Sequence, residues 1–202
     1  FLHPAKVNDD LFKSMAADVA VGDTHVLRDD LLKRAMDAGV FTPELQEETE
    51  RALLELVDKA DAVLLTCSTL GPAADALNMP SVLRVDRALA KQAVADGGDV
   101  AVLVAVETTI GPTRELFEEE AVKTGATIRM VMVEGAWEKF LAGDMQAYAQ
   151  AIADCASTRP EPVVALAQAS MAPATELVEE KLVLASPRAG LDAVLDYLGE
   201  AG

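Results

Sequence analysis

Residues 62–86 read AVLLTCSTLGPAADALNMPSVLRVD, and residues 163–187 read VVALAQASMAPATELVEEKLVLASP. Each stretch passes from a continuous apolar run to a polar turn, a proline, a helical pattern and a second apolar run. Apolar runs of four to eight residues without alternation are the pattern of strands buried on both faces of a parallel sheet. Laid without gaps, residues 62–97 fall on residues 163–198 at an offset of 101, with eight of 36 positions identical. Val63/Val164, Leu65/Leu166, Pro72/Pro173, Val82/Val183 and Arg87/Arg188 are among them. The order of elements matches throughout, which is the signature of an internal repeat. Two related halves follow, residues 1–98 and 99–202, with no Ser- or Gly-rich linker between them. The last helix is expected to pack back on the first half.

The same pattern extends outward. Strand-like runs lie at 62–66, 81–85, 100–106, 127–133, 163–167 and 182–185, with 26–27 a weaker one. Helical patterns occupy 9–20, 29–38, 43–60, 86–96, 112–124, 135–157, 173–180 and 188–199. The segment from 43 opens with Thr42 as N-cap and Pro43 in the first turn. Its Leu45, Leu53, Leu56 and Val57 keep helical spacing, with acids on the other face. Such alternation predicts an α/β protein with mostly parallel sheets. The offset sets Thr109 over Asn8 and the strand from Val100 over a segment that starts before Phe1, so a first strand is expected to be represented here only by its end.

The 202 residues suffice for one large or two small domains with a core that needs no disulfide or metal. Hydrophobic residues are 51% and aromatics only 4%, so Ala, Val and Leu build that core. Asp and Glu number 34 against 17 Lys and Arg, a net charge of −17. That charge disfavours nucleic acid and anionic membrane surfaces as partners. No run approaches the ~20 apolar residues of a membrane helix. Two cysteines and no visible signal peptide point to a reducing, cytoplasmic setting.

Three turns share a hydroxyl residue three positions before a proline, directly after an apolar strand. They are Thr69-Leu70-Gly71-Pro72, Thr109-Ile110-Gly111-Pro112 and Ser170-Met171-Ala172-Pro173. Helix initiation explains each one singly. As a set they also suggest anion sites, because helix N-termini at the carboxyl ends of parallel strands gather unpaired N–H groups. Ser68, Thr69, Thr108, Thr109, Gln168 and Ser170 supply neutral donors there, which suits a small carboxylate.

Cys67 lies in the first of these edges, where a helix N-terminus would stabilise a reactive thiolate. Most lone cysteines are core residues, and Cys155, spaced along an apolar helix face, reads that way. Trp137 and Phe140 also read as core. His3 and His25 are too few and too isolated for a metal site. Arg84, Asp86 and Arg188 read either as structural ion pairs or as charges near a site.

The runs AVLLTCSTLGP and PSVLRVD resemble the first cysteine motif of the aspartate/glutamate/hydantoin racemase superfamily, and VVALAQASM with LVLASPRAG resembles its second. The segment His25–Leu32 and Thr108-Thr109 are similar to that family too. The resemblance implies two pseudo-symmetric α/β halves, each a mostly parallel sheet flanked by helices, with the active site in the cleft between them. It further implies cofactor-independent isomerase or racemase chemistry on a carbon acid, of the kind found in amino acid metabolism, and a homodimer. One cysteine removes the α-proton and a second delivers a proton to the opposite face.

At the position of the second cysteine this chain has Gln168, over which Cys67 falls at the offset of 101. An amide is neither general acid nor general base near neutral pH. The expected catalytic set is therefore Cys67 as acid or base, Gln168 as an orienting group or a cap for a chain end, and Glu107 as a second proton carrier. A solvated loop carboxylate is the competing reading of Glu107. Asn8, Ser68, Thr69, Thr108, Thr109, Ala169 and Ser170 are the expected substrate-binding positions, with no cofactor and no metal. One thiol also fits a single-cysteine decarboxylase or isomerase of malonate-like acids, for which the family offers a precedent. A third reading is a carboxylate-binding protein without catalysis.

Overall fold

The computed structural model describes residues 1–17, 19 and 24–201. The chain divides into two units, Phe1–Ala88 together with Pro187–Gly202, and Leu89–Ser186.

The first unit contains β1 (Leu2–His3), α1 (Lys6–Ala17), β2 (Val26–Leu27), α2 (Asp29–Ala38), α3 (Pro43–Val57), β3 (Val63–Leu65), α4 (Gly71–Leu77) and β4 (Val82–Arg84). Helix α5 (Val85–Val94) carries the chain across the division. The second unit continues with β5 (Asp99–Val104), α6 (Glu107–Ala121), β6 (Thr127–Met132), α7 (Ala136–Leu141), α8 (Met145–Ser157), β7 (Val163–Leu166), a 3-10 helix (Ala169–Leu177) and β8 (Leu182–Ala185). Helix α9 (Ser186–Ala201) returns to the first unit.

Both sheets have four parallel strands in one order, β2-β1-β3-β4 and β6-β5-β7-β8. The repeat holds residue by residue. Leu2 pairs with Leu65 and Leu103 with Leu166; Val63 pairs with Val82 and Val164 with Val183. Beyond the strand ends, Thr66 N–H donates to Leu2 O at 3.0 Å and Ala167 N–H to Leu103 O at 3.1 Å.

Strand alternation sorts the cores. In the second unit Ala101, Leu103, Val164 and Leu166 pack with Tyr148, Ile152 and Met171 on one face. Val100, Val102, Val104 and Ala165 pack with Leu116 and Phe117 of α6 and Leu89 of α5 on the other. In the first unit Leu2, Val63, Leu65 and Cys67 pack against Leu31, Leu53 and Ala73 of α2, α3 and α4. Among the described residues no helix is long and apolar enough to cross a membrane.

Most predicted elements are present within a few residues, including β2, and α3 starts as expected. Thr42 Oγ1 accepts the Leu45 N–H at 3.3 Å, with Pro43 in the first turn. Positions 18 and 20 of the predicted 9–20 helix lie outside the described residues.

Three expectations need correction. Helix α6 starts at Glu107, five residues before the predicted start, so Pro112 lies inside it rather than opening it. Its missing N–H falls where the partner would be the Thr108 carbonyl, only one turn from the helix start, which limits the loss to a single bond. The predicted helix 135–157 is two helices, because Gly143 turns left-handed (φ 74°) and Asp144 caps α8 by accepting the Ala147 N–H at 3.0 Å. The third proline, Pro173, sits inside a 3-10 helix at 169–177, where a helix over 173–180 was predicted.

Candidate functional site

In each sheet the connections leave the central pair in opposite directions, β1 and β3 in the first, β5 and β7 in the second. In open α/β sheets the carboxyl ends of such a pair form a crevice for ligands. The first unit gathers at this point His3, the last residue of β1, Asn8 in α1, and Thr66 and Cys67 just past β3.

Asn8, in the first turn of α1, donates from Nδ2 to the Thr66 carbonyl at 2.8 Å. It thereby pins the residue just before Cys67. Cys67 is 7% exposed and precedes the turn Ser68–Leu70 that leads into α4. Burial pushes its thiol up to about 12. The N–H groups of Leu70 and Thr69 pull the other way, Asp86 raises it further and Arg84 lowers it. The resting group is therefore the protonated thiol, not the thiolate that a helix N-terminus alone suggested. The apolar packing of Cys67 against the α2–α4 face outweighs two backbone dipoles. Ser68 and Thr69 flank it and are buried.

Behind this turn, Arg84 is almost fully buried and donates to both oxygens of Asp86, at 2.7 and 2.9 Å, and to Asp75. Of the two sequence readings of these residues, this is the structural ion pair; Arg188 pairs with Asp192 on the surface at 2.9 Å.

His3 and His25 are not isolated, contrary to the sequence reading. His3 Nε2 lies 2.8 Å from His25 Nδ1, and His3 Nδ1 lies 2.9 Å from Thr66 Oγ1. Asp9 Oδ1 is 3.7 Å from His25 Nδ1 and 4.0 Å from His3 Nε2. Burial, then His25 and the N-terminal ammonium, lower His3 to about 3 against the pull of Asp9, so it is neutral. Lys13, hydrogen-bonded to Asp9, holds that carboxyl below its usual range. This cluster escaped sequence reading because 22 residues separate the histidines and no spacing rule joins them.

The second unit places Glu107, Thr108 and Thr109 in the first turn of α6, after β5. Glu107 is exposed and Thr109 buried. Gln168 follows β7, and its Oε1 accepts the Ala105 N–H at 2.6 Å. The residue matching Ala105 at the offset of 101 is Pro4, which has no N–H to satisfy. The glutamine thus closes the end of β5, a task that does not arise beside Cys67. Ala169 opens the 3-10 helix, and Ser170 Oγ lies 3.0 Å from the buried Tyr148 hydroxyl. That bond ties α8 to the 3-10 helix and gives Ser170 a packing role. Cys155, half-buried, packs beside the same core, and Trp137 stacks on Phe140 with centroids 4.5 Å apart.

No family model and no curated protein matches the sequence. Solved structures do match. The aspartate racemase of Picrophilus torridus superposes with a TM-score of 0.71 over 98% of this chain and 92% of its own, at 11% identity. A glutamate racemase isoform from Bacillus anthracis gives 0.64 over 100% and 81%, at 13% identity. The allantoin racemase of Klebsiella pneumoniae gives 0.62 over 99% and 86%, at 13% identity. The chain shares the fold of these racemases.

Proposed function

We propose that the protein is a cofactor-independent isomerase or racemase-like enzyme acting on the carbon next to a carboxylate in a small acid, with Cys67 as the group that exchanges a proton with that carbon. One observation carries this reading: a buried cysteine stands at the carboxyl end of a central strand, its sulfur approached by the Thr69 and Leu70 N–H groups. A likeness in fold to racemases supports the class of chemistry. Asn8, Ser68 and Thr69 are the proposed contacts of the substrate carboxylate. Preset donors of this kind stabilise the charge that gathers on the carboxylate as an enediolate forms.

The protonated state of Cys67 favours it as the donor in the step that ends the reaction. Gln168 in place of a second thiol favours a one-sided variant of the same chemistry. In a malonate-like acid the bond to one carboxylate breaks and carbon dioxide leaves. The bonding pair rests on the remaining carboxylate as an enediolate. Cys67 gives its proton to the carbon, and water then restores the thiol.

A screen of small amino, hydroxy and malonic acids in heavy water tests both variants. Solvent deuterium should enter at the carbon next to the carboxylate, and Cys67→Ala should lower the rate by about 10²–10⁴-fold, the usual contribution of a positioned acid or base. Turnover that survives Cys67→Ala overturns the role of the thiol. Acids that raise the melting temperature without exchange or turnover point instead to a carboxylate-binding protein without catalysis.

A further inference from the structure

We propose that His3, His25 and Asp9 form a binding site for one divalent transition ion of the zinc class, without the Cys67 thiol as a ligand. The three side chains come from the end of β1, the first turn of α1 and the residue before β2. All are nearly or fully buried. One ligand atom from each lies within 4.8 Å of the others. The closest atoms are 2.8, 3.7 and 4.0 Å apart. A tetrahedral ion with bonds of about 2.0–2.1 Å holds its ligands roughly 3.3 Å apart, so shifts under an ångström complete the site.

Proton positions favour an ion between the rings. The Thr66 hydroxyl donates to the Leu2 carbonyl at 3.3 Å, so its oxygen accepts the His3 Nδ1–H at 2.9 Å. With Nδ1 committed to Thr66, His3 turns Nε2 toward His25 Nδ1 at 2.8 Å. A histidine whose far nitrogen is fixed by a second residue is how proteins orient a metal ligand. An ion takes the place of the hydrogen that His25 Nδ1 donates to His3.

The surroundings suit a soft-to-borderline ion. Phe1 and Phe12 lie against the imidazoles, with the Phe1 ring 4.8 Å from that of His25 and Phe12 5.7 Å from that of His3. Two imidazoles and one carboxylate select zinc, cobalt or iron over magnesium or calcium, which prefer all-oxygen sites. Three protein ligands leave a fourth position open. The ion has a rival in Lys13, whose ammonium lies 2.9 Å from both Asp9 oxygens, with Lys6 at 3.4 Å. Lys13 is half-exposed on a flexible stem and can withdraw.

The test uses the whole chain, stripped of metal and titrated with Zn²⁺ and Co²⁺. One ion per chain should bind, with the visible absorption of tetrahedral Co²⁺ and no thiolate-to-metal band. His25→Ala should weaken binding by more than about 100-fold and Thr66→Val by about 10–100-fold. Lys13→Ala, which touches neither ring, should strengthen it roughly tenfold by removing the competing charge. If His25→Ala fails to fold, Lys13→Ala and the cobalt spectrum still decide. Absence of stoichiometric binding, equal affinity in His25→Ala, an affinity unchanged in Lys13→Ala, or a thiolate band overturns the proposal.

Discussion

Gly71 and Gly111 stand in the same four-residue setting, Thr-Leu-Gly-Pro and Thr-Ile-Gly-Pro, yet only one of them needs to be glycine. A Cβ on Gly71 would come within 2.5 Å of Arg84 Cζ and 2.7 Å of its Nε, and that guanidinium is fixed by Asp75 and Asp86. A Cβ on Gly111 meets nothing within 4 Å and lies in α6. Gly71→Ala should therefore destabilise by about 1–3 kcal/mol through overpacking. Gly111→Ala should stabilise by up to about 1 kcal/mol through helix propensity. Urea unfolding of the two variants checks the pair, and equal effects would refute the assignment of Arg84 as the cause. The contrast also marks the limit of reading residues from sequence. The position of Cys67 just past a buried strand was legible, because the apolar run before it marks that strand. The thiol proton was not, because desolvation depends on Leu31, Leu53 and other side chains far away in the chain. His3 and His25 were illegible for the same reason, since only the sheet brings them together.

Elements were legible where periodicity decides them and illegible where a neighbouring element does. The apolar strands were found, and their order follows from the repeat. Proline marks the helix start at Pro72 in α4 but not at Pro112 or Pro173, so the helices after β5 and β7 begin earlier than their prolines suggest. What sets the 3-10 helix is its packing against α8, including the buried bond between Tyr148 and Ser170. Tyr148→Phe should cost about 1–3 kcal/mol, because the Ser170 hydroxyl loses its partner in a buried setting. Ser170→Ala should cost a similar amount by orphaning the phenol. The double variant should cost clearly less than the two together, and a thermodynamic cycle from denaturant unfolding measures the difference. Strict additivity would show that the two hydroxyls do not depend on each other.

At the scale of the whole molecule, the offset of 101 proves to be a register of paired strands and not only of letters, since Leu2–Leu65 and Leu103–Leu166 occupy equivalent places in two sheets of one order. The net charge of −17 then gains a specific consequence through two buried groups that resist adding to it. Burial raises Cys67 and Tyr148 each to about 12, from ordinary values of 9.0 and 10.0. Between pH 9 and 12 the unfolded chain has released these protons while the folded chain retains them. The folded state then binds more protons, so stability falls as pH rises. Cys67 alone contributes a loss of about 1.4 kcal/mol per pH unit from roughly pH 9, and Tyr148 joins from roughly pH 10. Below pH 9 both groups are protonated in either state and contribute no slope. Urea unfolding from pH 7 to 11 should show this decline, and it should be shallower by the Cys67 share in Cys67→Ala. The same alkaline slope in Cys67→Ala as in the parent chain would mean that the thiol is not desolvated in the folded protein.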